Sequence, residues 1–142
     1  MTTFSRKCVP FTPFDGELSR ATVAIVTAGG VHLKDQEPFN IADELGDLTF
    51  RLIPADAGSS QLMVTHHHYD HADADADINV VFPIDVLRDL QQEGFIRDIA
   101  RKHVGYMGYT MQLKAMYEGT APEIANEIDR GSRADVVVLT GG

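Results

Sequence analysis

Thirteen consecutive residues, Thr65-His66-His67-His68-Tyr69-Asp70-His71-Ala72-Asp73-Ala74-Asp75-Ala76-Asp77, carry four of the chain's six histidines together with four aspartates. Imidazole and carboxylate are the side chains that ligate divalent transition metals. They are also the groups that give and take protons near neutral pH. A solvated polar loop accounts for a stray histidine, but four within six residues point to chemistry. Asp73, Asp75 and Asp77 read as a solvated face or as helix caps, with a weakly held cation as the alternative.

The spacing His66-x-His68-x-Asp70-His71 resembles the signature of metallo-β-lactamase-type hydrolases. That resemblance implies a zinc ion held by His66, His68, Asp70 and His71. The chain departs from the pattern afterwards. Asp-Ala repeats stand where a glycine-rich turn is required, and the only later histidine is His103.

The elements that must carry this stretch belong to one domain of 142 residues, with 44% hydrophobic and 23% charged residues. Residues 1–20 contain Pro10, Pro13 and Gly16 without a sustained period and predict an extended N-terminal arm. Residues 21–142 predict a single α/β domain of three layers, a mostly parallel sheet with helices on both faces. Thr22–Thr27 is a β-branched apolar run without polar alternation, as in a strand buried on both faces. Residues 49–54, 61–65, 78–82 and 135–140 predict further strands. Residues 35–48 read as a loop, and 103–109 as a loop rich in Gly and Tyr. Pro83 predicts the start of a helix with Ile84, Leu87 and Leu90 on one face, closed by Gly94. A short helix is expected over about 110–118, ending at Gly119. Thr120-Ala-Pro-Glu123 has the form of a capping box for a helix that Gly131 ends.

Two segments echo one another. Val23-Ala-Ile-Val-Thr-Ala-Gly29-Gly30 and Val136-Val-Val-Leu-Thr-Gly141-Gly142 are each a buried strand, a threonine and a glycine turn. In open α/β sheets ligands lie beyond the carboxyl ends of the strands. Two such ends side by side predict a crevice floored by backbone amides. The strand over 135–140 lacks a following crossover helix, so it is expected either to be an edge strand or to be incomplete at its C-terminus.

A net charge of −9 argues against nucleic acid or an anionic membrane surface as a partner. No run approaches the roughly 20 apolar residues of a membrane span, and the N-terminus has no signal-peptide core. Cys8 is the single cysteine, so a disulfide framework within the chain is excluded and a reducing cytoplasm is the expected compartment. Cys8 itself reads as an ordinary thiol.

Several segments in order resemble the selenoprotein B family of the glycine, sarcosine, betaine and D-proline reductases. They are Val23 to Leu33; Pro38-Phe39; Gly46-Asp47 through Phe50-Arg-Leu-Ile-Pro54; His68-Tyr69-Asp70-His71 leading to Asp77-Ile-Asn-Val-Val-Phe-Pro83; then Gly94, His103, Met107-Gly108, Thr120-Ala-Pro122 and the terminal Val-Val-Val-Leu-Thr run. The resemblance covers roughly residues 10–142. It implies a selenol- or thiol-dependent reductase component that cleaves a C–N bond of a small amino acid or amine with a dithiol/disulfide couple. A second reductase subunit and a dithiol protein are the implied partners, and a homodimer would bury an uncovered sheet face.

The resemblance also places a selenocysteine or cysteine directly after the last strand. Selenocysteine is encoded by a codon that otherwise means stop, so the expectation is a chain cut at that position and lacking its nucleophile. His68 and His71 are then candidates to protonate the leaving amine or hold the chalcogenide as an anion, and Asp70 to orient an imidazole or pair with an ammonium. Gly29, Gly30, His32, Tyr69, Asn79, Gly141 and Gly142 are the candidate substrate-binding residues. A non-catalytic subunit that docks a partner through the His/Asp loop is the other reading.

Overall fold

The computed structural model describes residues 13–142. Cys8 and most of the expected N-terminal arm lie outside the described residues. A 3₁₀ turn, Leu18–Arg20, leads into β1, Thr22–Thr27, in which every residue is buried. A strand buried on both faces must satisfy its backbone on both edges. β7, Val136–Thr140, takes one edge in parallel, from Val23↔Val136 to Thr27↔Thr140. The other edge is shared by two short strands in line. β5, Asp98–Ile99, pairs with Thr22 and Val23, and β6, Lys102–Tyr106, pairs with Val26 and Thr27, both parallel. β3, Phe50–Pro54, adds to β6 antiparallel and completes a five-stranded mixed sheet. The α/β class expected from the sequence is therefore the class observed.

Alternate residues of β1 enter different cores. Val23 and Ile25 pack with Ile53, Phe82, Ile84, Leu87 and Ile96. This side carries α1, Ala72–Ala76, and α2, Ile84–Gln92. It also carries a two-stranded antiparallel ribbon of β2, Val31–Leu33, and β4, Leu62–Val64. Ala24 and Val26 pack on the opposite side with Val104, Ile124 and Ile128. Burial of a side chain such as Phe82 or Ile84 stabilises by about 1.5–3 kcal/mol.

The gap between β5 and β6 falls opposite Ile25. There the Ile25 N–H donates to Nδ1 of His103 at 3.0 Å, so an imidazole replaces a main-chain carbonyl. The acceptor role fixes the neutral tautomer with its proton on Nε2. His103 is fully buried, and Nε2 has no hydrogen-bond partner among the described residues. Burial, helped by the Arg88 guanidinium, pushes the imidazole down to about 4.

Four sequence expectations are corrected. Residues 78–82 are not a strand; Ile78–Val80 is a 3₁₀ turn. Asp77 accepts from the Asn79 N–H, and Ile78, Val81 and Phe82 turn inward together. The expected loop over 103–109 contains β6. Its pattern is masked because Gly105 sits where the Val31 carbonyl crosses the strand, leaving no room for a Cβ. Thr120 does not cap a helix. Its hydroxyl donates to the Leu48 carbonyl at 2.7 Å from the middle of a helical run. In that run the α-helical turns α3, Leu113–Ala115, and α4, Ala121–Asn126, alternate with π turns Met116–Thr120 and Glu127–Ser132. Gly119 and Gly131 consequently end nothing; the run stops at Arg133, which takes a left-handed φ of 51°. The strand over 135–140 pairs only with β1 among the described residues.

Two outcomes follow from this packing. His103 is protonated more readily when unfolded, so stability falls as pH drops from about 6.5 towards about 4 and levels off below, a loss of about 3 kcal/mol. Thermal melts at about pH 7 and about pH 4.5 should show this loss in the wild type and a smaller one in His103→Asn, whose amide oxygen can still accept from Ile25. Gly30 and Gly94 both have positive φ, 71° and 73°. A Cβ on Gly30 would stand 2.5 Å from the Thr65 carbonyl oxygen, whereas one on Gly94 meets nothing within 4 Å. Denaturant titration should therefore find Gly30→Ala at least about 2 kcal/mol less stable than wild type, and Gly94→Ala only about 1 kcal/mol.

Candidate functional site

The pairing of β1 with β7 brings the two echoing ends together. Beyond Thr27↔Thr140 the Ala28 N–H continues the ladder to the Thr140 carbonyl at 2.9 Å. The Thr140 hydroxyl donates to the Val81 carbonyl at 2.6 Å and ties the tip of β7 to the segment before α2. The two glycine turns are thus neighbours, as the echo predicts. The expected floor of free amides needs correction on the β1 side. The Gly29 N–H donates to Oγ1 of Thr27 at 3.1 Å, and the Gly30 N–H to the Tyr106 carbonyl at 3.0 Å. Both are already engaged inside the protein.

Tyr69 stands across the two strand ends. Its phenol donates to the Gly29 carbonyl at 2.8 Å. A Cβ built on Gly142 would overlap the Tyr69 ring, so the tip of β7 passes directly against that ring. Burial, then the Asp75 carboxylate, raises the phenol above its ordinary value, so it stays protonated and donating near neutral pH.

The histidines arrive on the chain leaving β4. Thr65 N–H donates to the Gly30 carbonyl at 2.9 Å and fixes where the loop begins. His66 is buried, and its Nδ1 accepts from the His68 N–H at 3.0 Å. Its ring lies 4.8 Å from that of Tyr69. Burial, then the neighbouring imidazoles of His68, His67 and His71, lowers its pKa. His68 is exposed and stacks on Tyr109, with centroids 3.4 Å apart and planes within 12°. Desolvation and the charge of His67 lower it as well. His71 lies 5.7 Å from the Tyr69 ring, and its Nδ1 meets Oδ2 of Asp75 at 2.8 Å. Among the described residues Asp70 forms no hydrogen bond with an imidazole. Its Oδ1 accepts from the Ala72 N–H at 3.1 Å and starts α1.

Two candidate residues are engaged by the fold itself, His32 in the interior and Asn79 at the partly exposed start of α2. His32 is 1% exposed, its Nδ1 bonded to the Leu33 carbonyl and its Nε2 to the Thr65 hydroxyl. Both ring nitrogens are occupied within the protein, and the ring supports Thr65. Asn79 bonds Asp77 and Asp85, and its Oδ1 accepts from the Asp85 N–H, which builds the start of α2. The zinc reading does not fit. Among the described residues no three His, Cys, Asp or Glu side chains are grouped to hold a metal ion. In particular, His66 turns to His68 N–H, Asp70 to Ala72 N–H and His71 to Asp75. Sequence reasoning missed Tyr109, Thr140 and Asp75 as members of the site. For Asp75 a signal existed: it stands four residues after His71, which on a helix puts both on one face.

A family model, glycine/sarcosine/betaine reductase selenoprotein B, matches residues 1–142. The chain is 46% identical over 132 residues to the D-proline reductase subunit gamma of Acetoanaerobium sticklandii, covering 93% of this chain and 53% of that one. It is 33% identical over 136 residues to the glycine reductase complex component B subunit gamma of Carboxydothermus hydrogenoformans, covering 93% and 30%. It is 34% identical over 104 residues to the sarcosine reductase complex component B subunit beta of Peptoclostridium acidaminophilum, covering 70% and 23%. The chain thus spans about half the length, or less, of these curated relatives. No solved structure matches it. With a sheet whose echoing strand ends meet under the histidine loop, and a family match along its whole length, the chain belongs to the glycine/sarcosine/betaine reductase selenoprotein B family.

Proposed function

We propose that this chain forms the part of an amino-acid reductase component that presents a selenolate or thiolate to a small amino acid or amine. D-proline is the first substrate to test, because the relative at 46% identity is a D-proline reductase subunit. The observation that carries the reading is the side-by-side ending of β1 and β7 against Tyr69, with His66 and His71 flanking that ring. A selenocysteine or cysteine encoded just after Gly142 would be delivered to this spot.

The proposed reaction conserves electrons as follows. The chalcogenide attacks the carbon bearing nitrogen, and the C–N electron pair leaves with the amine, which takes a proton from an imidazole. A thiolate of a partner dithiol then attacks selenium or sulfur. The carbon departs with that bond pair and is protonated, and the second thiol closes a disulfide, returning the chalcogenide. The two electrons come from the dithiol. His68 and His71 are the proposed proton donors. The lowered His66 and His68 are neutral at neutral pH, so His68 must take up a proton before it can give one to the amine, and His68-dependent turnover should rise as pH falls. A partner subunit and a dithiol protein complete the system, in line with relatives named as complex components.

The test is the complete gene product, including whatever follows codon 142, assembled with its partner subunits. With a dithiol and D-proline it should open the ring reductively; with an acyclic amino acid it should release the amine. His68→Ala and His71→Ala should each lower turnover by at least about tenfold. A complete, folded complex inert toward every small amino acid and amine, or a gene without a Sec or Cys codon near the tip of β7, overturns the reading.

A further inference from the structure

We infer that Asp75 is a positioning residue for His71: its carboxylate holds the Nδ1–H of the imidazole and leaves Nε2 as the single nitrogen that can exchange a proton at the crevice. The inference rests on the proton-donor role proposed above for His71 and adds the group that makes that role directional.

The geometry is local and specific. Asp75 N–H donates to the His71 carbonyl at 2.8 Å, the helical bond that sets the two side chains on one face of α1. Ala74, between them in the helix, is buried and anchors α1 to the core. The helix cannot therefore roll without losing that contact. On the exposed side of the turn, Nδ1 of His71 and Oδ2 of Asp75 meet at 2.8 Å. A carboxylate only accepts, so the neutral ring in this pair carries its proton on Nδ1. Free neutral imidazole populates both tautomers, and a fixed carboxylate selects one and fixes the ring plane.

The pair stands beside the aromatic ring that meets the tip of β7. His71 lies 5.7 Å from Tyr69, whose ring contacts the tip of β7 and whose hydroxyl is committed to the Gly29 carbonyl. The phenol is therefore not a competing proton source. His66 has its Nδ1 committed to the His68 N–H. Asp73 and Asp77, the other aspartates of the repeat, have no bond to any imidazole among the described residues. Of the four aspartates in the motif, Asp75 alone meets a histidine ring.

The test has two arms. In the first, nitrogen-15 spectra of the chain report the His71 tautomer directly. Wild type should show the Nδ1–H form, Asp75→Ala should lose it with the remaining resonances unchanged, and Asp75→Glu should restore it in part. A wild-type His71 in the Nε2–H form overturns the inference. In the second, steady-state kinetics of the assembled reductase compare Asp75→Ala, His71→Ala and the double variant. Asp75→Ala should lower kcat about tenfold with KM within about twofold, and the double variant should be no slower than His71→Ala. Effects of the two substitutions that multiply show Asp75 acting elsewhere and overturn the inference. A silent His71→Ala alongside an intact Nδ1–H signal has a different meaning: it overturns the proton-donor reading of His71, while the orientation of the ring by Asp75 stands.

Discussion

The structure depends on one constraint: every main-chain polar group of β1 has to be satisfied away from water, because all six of its residues are buried. β7 meets that demand on one edge over five consecutive residues. No single strand meets it on the other. The line formed by β5 and β6 breaks opposite Ile25, and His103 fills the break with a side-chain acceptor. The arrangement stabilises the centre of the sheet at the cost of a buried Nε2–H without a partner among the described residues, which is about 1–3 kcal/mol of desolvation. The site inherits this architecture. Because β7 is held in register with β1 to its last residue, the glycine turn at its tip falls beside the glycine turn of β1 and under Tyr69.

Seen from the crevice, the histidine motif is not one functional group but several, sorted by what each ring nitrogen is already doing. His66 is inside and bonded to the backbone of His68. His68 lies outside, stacked on Tyr109. His71 is tied to a carboxylate. Tyr109 belongs to a segment pinned to the 40–48 loop, where Met111 N–H meets the Leu45 carbonyl at 2.9 Å and Thr110 Oγ1 meets the same oxygen. The loop that looked like filler in the sequence therefore supports the platform on which His68 rests. The three rings are thus held by three different partners rather than turned toward one point.

Much of this was legible in the sequence wherever one physical demand dominated. The apolar β-branched runs at Thr22–Thr27 and Val136–Thr140 are both strands, and their matching glycine ends lie side by side, but only the first is buried throughout; the second was expected to be buried and is instead an edge strand with Leu139 77% exposed. The helix after Pro83 followed from its spacing and appears as Ile84–Gln92. Failures came where tertiary contacts use a residue against its usual habit. His103 serves as a strand acceptor and Gly105 as a gap for a crossing carbonyl, so β6 read as a loop. Thr120 bonds across to Leu48, so a cap was expected where a helix runs through. Asn79 and Asp77 form the turn that the apolar run at 78–82 disguised as a strand. Of the contacts around the histidine loop, the pairing of Asp75 with His71 could be read from their spacing of four, whereas the stacking of Tyr109 on His68 joins segments far apart in sequence and is visible only in three dimensions.

The contact between Gly105 and the Val31 carbonyl has a mechanical consequence. Backbone meets backbone there, with no side chain between the β2–β4 ribbon and the sheet to compress or swing aside. Thr65 N–H bonds Gly30, and Gly30 N–H bonds Tyr106 at the end of β6, so the root of the histidine loop is riveted to the same strand. The root of the loop, the ribbon and β6 are therefore joined main chain to main chain, so that a shift of any one of them must be shared by the other two.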